Sequence, residues 1–149
     1  MANHRDKAHL LDVMRRYRYA ILATVGSTHT PQAAIVGVAV TDALETVFDT
    51  LSQTRKAVNL VGNPRIALVF GGWDESDPRT VQYEGVADVP EGPDREQVQQ
   101  MYFGVFPDGP SRLSWPGITY VRVRPRWLRY SDYTVDPPVI IEGPPDIWQ

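Results

Sequence analysis

Two adjacent cations at the start of a short helical segment are the most chemically suggestive feature of the sequence. The pattern of residues 55–61 predicts a helix that follows directly on a β-strand, with Gly62 and Pro64 as its stop signal. Arg55 and Lys56 therefore lie in its first turn, where unbonded backbone N–H groups and the helix dipole already concentrate positive charge. Such a turn suits a bound phosphate. The alternative is that both side chains extend into solvent or pair with nearby acids, and this feature alone favours neither interpretation.

The remaining reactive side chains form no second pattern. The sequence contains no cysteine, which excludes disulfides, thiolate metal sites and cysteine nucleophiles. His4, His9 and His29 lack the spacing of a metal site, so we expect solvated histidines and no bound metal. The motifs of serine hydrolases, zinc proteases and P-loop proteins are absent from the sequence.

The composition is that of a globular protein. The 149 residues are 42% hydrophobic and 22% charged, enough for one domain with its own core. The net charge of −3 argues against a nucleic-acid partner. The charged N-terminal segment does not resemble a signal peptide, and no apolar run is long enough to cross a membrane. We therefore expect a cytoplasmic protein without a membrane partner.

The hydrophobic patterns predict a mainly β domain. Strands and helices are expected at the following positions: strands at 19–26, 32–40, 45–51, 65–70, 80–89 and 117–133, the last bent at Pro125, and helices at 6–16, 55–61 and 93–106. Tight turns join most of the strands and no βαβ alternation is present, which favours an antiparallel barrel with peripheral helices. We assign this domain to 1–133 and expect the Pro-rich tail, 134–149, to have no regular structure.

The order of these elements resembles the pyridoxamine 5′-phosphate oxidase-like family of FMN-binding split barrels, from about residue 19 to residue 132. The most specific part is "FDTLSQTRKAVNLVGNPRIALVF", residues 48–70. In that family a hydroxyl residue, an Arg and a Lys at this helix start hold the FMN phosphate. The resemblance assigns these roles to Thr54, Arg55 and Lys56, and it implies a six-stranded antiparallel split β-barrel.

The resemblance also implies contacts with the flavin ring, from the second strand and the end of the third. The corresponding residues are Ile35, Val36, Gly37, Phe48, Asp49 and Thr50. Ile35 and Val36 could equally be core residues that offer a cofactor only their backbone. Asp49 is either an acid beside the flavin or a carboxylate satisfied at the end of its strand.

Because the family builds its site across a two-fold axis, the resemblance implies a homodimer with cofactor sites at the subunit interface. The second subunit would contribute a glutamine, for which Gln82 is our candidate and Thr80 the neighbouring alternative. Trp127 and Tyr130 either replace a tryptophan that many members place near the C-terminus, or are core and interface aromatics. Trp115 either covers a flavin from the second subunit or plugs the end of the barrel.

Two departures separate the sequence from true pyridoxamine phosphate oxidases. The strand "QAAIVGVAV" lacks the Arg and Lys that reach the flavin and the substrate phosphate, and "RYSDYTVDPP" lacks the Arg–His–Asp–Arg-like run that binds the vitamin. We therefore expect an FMN-dependent oxidoreductase for another small apolar or aromatic molecule, with no catalytic acid or base assigned. The alternatives are an F420-dependent reductase of the same fold, a non-catalytic flavin- or haem-binding sensor or storage protein, and a cofactor-free protein–protein module.

Overall fold

The computed structural model describes residues 3–149. Within them, eight strands form one antiparallel sheet: β1 Tyr19–Val25, β2 Pro31–Gly37, β3 Ala39–Val40, β4 Thr46–Leu51, β5 Arg65–Gly71, β6 Arg79–Asp88, β7 Ile118–Asp132 and β8 Val139–Gly143. Three α-helices accompany the sheet: α1 Lys7–Arg16, α2 Arg55–Gly62 and α3 Gly92–Val105. Short 3₁₀ turns occupy Gly109–Arg112 and Pro145–Ile147. None of the described helices is long and apolar enough to cross a membrane.

The strand order is β2–β1–β5–β6–β7–β4–β3, and β8 also pairs with β7. This confirms the predicted mainly β split barrel with peripheral helices. The strand expected over 32–40 divides at Val38, whose N–H bonds to the carbonyl of Arg18. The expected bend at Pro125 lies within a single strand, β7, beside a register shift between Glu84 and Gly85.

The core fills the inner face of the curled sheet, and α1 closes one end of it. Leu10, Leu11 and Met14 are buried at the helical spacing that the sequence predicts. At the centre, Tyr83 is buried, and its hydroxyl donates to the carbonyls of Leu44 (2.8 Å) and Val123 (3.0 Å). These bonds satisfy a polar group that would otherwise be costly to bury.

The C-terminal segment differs from the prediction that it has no regular structure. Strand β8 pairs with β7 from Asp132 to Leu128, and Trp148 is buried with 3% of its surface exposed. The backbone N–H of Gln149 bonds to the carbonyl of Arg5. Proline content suggested irregular chain, but β7 extends beyond β4 and offers unpaired backbone groups that β8 satisfies.

Candidate functional site

Helix α2 begins without a side-chain cap. Thr54 is in the N-cap position, but its hydroxyl donates to the carbonyl of Leu51 (2.8 Å) and lies 2.9 Å from the hydroxyl of Thr50. It therefore accepts no bond from the N–H groups of the first turn, which also contains no acidic residue. Among the described residues, neither Arg55 nor Lys56 forms an ion pair. The start of α2 is thus positively charged and uncompensated within the described chain.

A cavity of about 300 Å³ opens between this helix start and the turn that joins β1 to β2. Arg55 and Asn59 line it from the helix, and the turn supplies hydroxyl groups from Ser27, Thr28 and Thr30. Asn59 fixes the helix to the sheet, because its side-chain N–H groups donate to Thr24 (3.0 Å) and Gln32 (3.2 Å). We name this space the phosphate cavity, because a cation, hydroxyls and a helix N-terminus form a donor set suited to phosphate.

The structure brings together only part of the set that the resemblance assigned to phosphate. Arg55 lines the phosphate cavity, whereas Thr54 and Lys56 flank the helix start without lining it. The sequence reasoning missed Asn59 and the hydroxyl-rich turn. Asn59 lies four residues after Arg55 and therefore on the same helix face, a spacing that could have identified it.

The residues expected to contact a flavin ring divide between the two faces of the sheet. Val36, Phe48 and Thr50 point into the core, with exposed fractions of 7%, 0% and 7%. Ile35 points outward and is 71% exposed. Gly37 lies under Phe106, whose ring would be 2.7 Å from a Cβ atom at this position. The buried side chains belong to the core, so they leave only backbone groups for a cofactor.

Asp49 is satisfied by its own chain. The hydroxyl of Tyr102 donates to it at 3.0 Å, and Arg112 donates to its other oxygen at 2.8 Å. Arg112 also pairs with Asp108 at 2.7 Å. Burial, followed by the adjacent Asp49 charge, raises the pKa of Tyr102, so the phenol remains a neutral donor. The arrangement matches the interpretation of Asp49 as a satisfied carboxylate and ties α3 and the 3₁₀ turn to β4.

Gln82 lies on the outer face of the sheet. The strand register aligns Ile35, Ile21, Val69 and Gln82 in one row across β2, β1, β5 and β6. Three strand spacings, about 14 Å, separate Gln82 from Ile35 within the subunit. Within one subunit, the register therefore does not bring Gln82 next to Ile35.

The C-terminal aromatic candidates lie in different environments. Trp127 pairs with exposed Glu84 on the sheet, whereas Tyr130 is fully buried in the core. Trp115 is 51% exposed and therefore does not plug the barrel. Its loop adjoins the turn before α2, because the N–H of Ser52 donates to the carbonyl of Gly117 at 2.8 Å.

Two histidines differ from the expected solvated state, because His4 and His9 are both half-buried against Tyr130. The ring of His4 stacks on that of Tyr130 with centroids 6.1 Å apart, and the Nε2 of His9 lies 3.1 Å from the Tyr130 hydroxyl. The same hydroxyl donates to Asp132 at 3.2 Å, and burial raises the pKa of Tyr130 to about 12. Over residues 3–149, no three possible metal-ligating side chains cluster as they would around an ion.

The sequence matches the family model described as pyridoxamine 5′-phosphate oxidase over residues 7–132. A comparison with curated protein sequences finds no match. The family match covers the whole barrel from α1 to the end of β7 and includes both walls of the phosphate cavity.

Three solved structures show how widely the fold is shared. A haem-binding protein from Mycobacterium smegmatis has a TM-score of 0.82 at 17% identity, over 99% of this chain and 60% of its own length. A conserved hypothetical protein from Mycobacterium tuberculosis has a TM-score of 0.71 at 26% identity, over 90% of this chain and 86% of its own. HutZ, the haem storage protein from Vibrio cholerae, has a TM-score of 0.70 at 15% identity, over 80% of this chain and 89% of its own length. This chain thus spans 60% of the Mycobacterium smegmatis protein.

Proposed function

Because the chain belongs to the pyridoxamine 5′-phosphate oxidase family, we propose that it binds FMN at the start of α2 and is a flavin-dependent oxidoreductase for a small apolar or aromatic molecule. The observation that carries the proposal is the uncapped, cationic helix start that opens into the phosphate cavity. Arg55, the hydroxyls of the β1–β2 turn and the free amides of α2 would donate to the phosphate. FMN would supply the redox chemistry when bound, while these residues bind and orient it.

We propose further that two copies of the chain form a homodimer through the outer face of the sheet. Ile35 is 71% exposed and Ile21 is 37% exposed, and both belong to one row that ends at Gln82. Contiguous apolar surface of this kind is typical of interaction sites. In a two-fold arrangement, Gln82 and Trp127 of one copy would reach the cofactor held by the other. A cytoplasmic location without nucleic-acid or membrane partners belongs to the same proposal, which the lack of cysteine supports.

The first experiment is the visible absorption spectrum of the purified protein, followed by identification of what heat releases from it. The variant Arg55→Ala with Lys56→Ala should lose FMN while its circular dichroism and oligomeric state remain unchanged. The matched control, Arg5→Ala with Lys7→Ala, removes the same two charge types at the start of α1, where Asp6 already caps the helix. If the first variant retains as much FMN as the control, the phosphate assignment is wrong.

The alternative cofactor F420 is favoured by a second cleft beside the phosphate cavity. This cleft has a volume of about 510 Å³, shares Pro31 with the phosphate cavity and includes Arg65 and Arg126, with Glu84 as an opposing charge. Both arginines are exposed and form no ion pair within residues 3–149. They could hold the anionic glutamate tail that extends beyond the F420 phosphate and that FMN lacks.

Titration of cofactor-free protein distinguishes the two cofactors. If F420 is the ligand, Arg65→Ala with Arg126→Ala should weaken F420 binding and leave FMN binding unchanged. Equal losses for both cofactors, or none, would remove the argument for a tail site. In either case, the Arg55→Ala with Lys56→Ala variant still tests whether the start of α2 binds the cofactor phosphate.

A flavin- or haem-binding sensor or storage protein is supported by two structural relatives, one a haem-binding protein and the other a haem storage protein. Titration with haem and inspection of its Soret band tests this candidate. Sustained oxidation of a reduced nicotinamide by the loaded protein would exclude a protein without turnover. A chain that forms the dimer but binds none of FMN, F420 and haem would instead be a protein–protein module.

A further inference from the structure

A separate cleft of about 420 Å³ lies at the other end of β1 from the phosphate cavity. It is lined by residues 16–19 together with Ile21, Ile35 and Trp73. We propose that this aromatic cleft binds a planar aromatic anion, such as an aryl carboxylate, and that this ligand class is the substrate. The ligand class follows from the cleft, whereas its role as substrate rests on the proposed flavoenzyme function.

The aromatic wall of the cleft is held in place by contacts between its rings and by hydrogen bonds to neighbouring acids. The rings of Trp73 and Tyr17 meet edge-to-face, with centroids 5.3 Å apart at 65°. The hydroxyl of Tyr17 donates to Asp74 at 3.1 Å and to Asp77 at 3.3 Å, which fixes its ring. Trp73 therefore has a supported position while 45% of it stays exposed. A fixed, open indole face suits stacking against a planar ligand.

The charges of the cleft favour an anion. Asp77 lies beneath it, 5% exposed, and is balanced by Arg79 at 2.6 Å. Arg16 also contacts Asp77 at 3.1 Å and remains half exposed, so its guanidinium is positioned but only partly neutralised. Arg18 is exposed and forms no ion pair among the described residues. No acidic side chain lines the cleft within residues 3–149, so both lining charges are positive.

Asp108, an acid that the charge of Arg18 influences, is paired with a different arginine. The charge of Arg18 helps to lower the pKa of Asp108, after the larger effect of its hydrogen bond to Arg112. That hydrogen bond is 2.7 Å long. Arg18 is therefore available to a ligand carboxylate, which would form charge-assisted hydrogen bonds with it.

The floor of the cleft connects it to the proposed cofactor site. Ile21 and Ile35 form an apolar base, and Ile35 belongs to the strand that the family resemblance assigns to the flavin ring. An apolar base with a cationic rim is complementary to a flat hydrocarbon body that carries one anionic group. A ligand seated here would contact the same strand as the ring.

Calorimetric titration with 2-naphthoate and with its neutral counterpart 2-naphthamide tests the proposal. We expect 2-naphthoate to bind with a dissociation constant on the order of 100 µM and 2-naphthamide to bind about tenfold more weakly. Arg18→Gln should abolish most of this preference, and Trp73→Leu should weaken the binding of both ligands. The matched control is Arg5→Gln, an exposed arginine before α1 that lines neither cleft.

Three outcomes would overturn the proposal: no detectable binding of 2-naphthoate, equal affinity for both ligands, or an equal effect of Arg18→Gln and Arg5→Gln. The proposed cofactor site is tested separately. If Arg55→Ala with Lys56→Ala retains FMN but the naphthoate preference depends on Arg18, the cleft stands and the phosphate assignment does not.

Discussion

Helices α1 and α2 both begin beside cations, but the protein stabilises their ends in opposite ways. At the start of α1, the carboxylate of Asp6 accepts the N–H of Ala8 at 2.9 Å. At its other end, Arg16 contacts buried Asp77 at 3.1 Å. At the start of α2, the hydroxyl of Thr54 is turned away from the helix, and Arg55 begins a first turn without an acid.

The difference indicates which helix start would gain stability from a bound external anion. An internal carboxylate already satisfies α1, so an anion there would gain little. Helix α2 has no buried residue of its own and no cap, so it obtains less stability from packing than α1, with its four buried side chains. A ligand that binds only the folded state would stabilise it. An external anion should therefore stabilise α2 and have little effect on α1.

The largest expected effect concerns Asp77, the acid of the β5–β6 loop that contacts Arg16 at the end of α1. Asp77→Ala leaves Arg79 without its buried partner and removes the contact with Arg16. Because removing one member of a buried ion pair strands the other, we expect a loss of about 3 kcal/mol in the free energy of unfolding. Urea denaturation measures it. Asp12→Ala, at an exposed position of α1, is the control and should change stability little. Equal stability of the two variants would show that Asp77 does not stabilise the C-terminal end of α1.

The same residue predicts an acid dependence of stability. The hydrogen bond from Arg79 lowers the pKa of Asp77 below its ordinary value of 3.8. A carboxyl with a depressed folded pKa contributes stability above its unfolded pKa, and this stability is lost as the pH falls through the folded value. Thermal melts of the wild type should therefore decline more steeply below pH about 4 than those of Asp77→Asn. If the melting temperatures of the two proteins declined in parallel with pH, the lowered pKa of Asp77 would be contradicted.

The next effect concerns α2. Arg55→Glu places an anion where a phosphate is proposed, so FMN affinity should fall about 100-fold, while an acid in the first turn should leave stability unchanged or slightly higher. Fluorescence titration with FMN and a thermal melt measure the two quantities. Arg5→Glu, beside the capped start of α1, is the charge-matched control. A loss of FMN in both variants would indicate a general electrostatic effect instead of a local site.

These two helices also show how much the sequence could predict. The start of α2 and its cations followed from local patterns, since strand, helix and stop signals all lie within residues 48–70. The uncapped state did not, because it depends on where the Thr54 hydroxyl turns in three dimensions. The hydrogen bonds that satisfy Asp49 did not follow from local patterns either, because Tyr102 lies in α3 and Arg112 in the 3₁₀ turn that follows it. Long-range partners of this kind leave no local signal.

A smaller effect is expected at the capped start. Asp6→Ala removes the bond to Ala8 and should destabilise the protein by about 1 kcal/mol. Thr54→Ala removes no bond to a helix N–H, so it should cost less at the equivalent position of α2. Urea denaturation of both variants under the same conditions measures the difference. A larger loss for Thr54→Ala would mean that its bonds to Leu51 and Thr50 matter more than a cap.

The smallest effect comes from giving α2 the cap that α1 has. Thr54→Asp should place a carboxylate beside the first-turn N–H groups and add about 0.5 kcal/mol of stability in the absence of ligand. The same carboxylate would compete with the phosphate for these donors and repel it, so FMN affinity should fall severalfold. Thr54→Asn provides the matched control, because it can cap the helix without the charge and should weaken FMN less. If Thr54→Asp raised both stability and FMN affinity, the cap and the ligand would not share one set of donors, and the contrast between the two helix starts would have no bearing on binding.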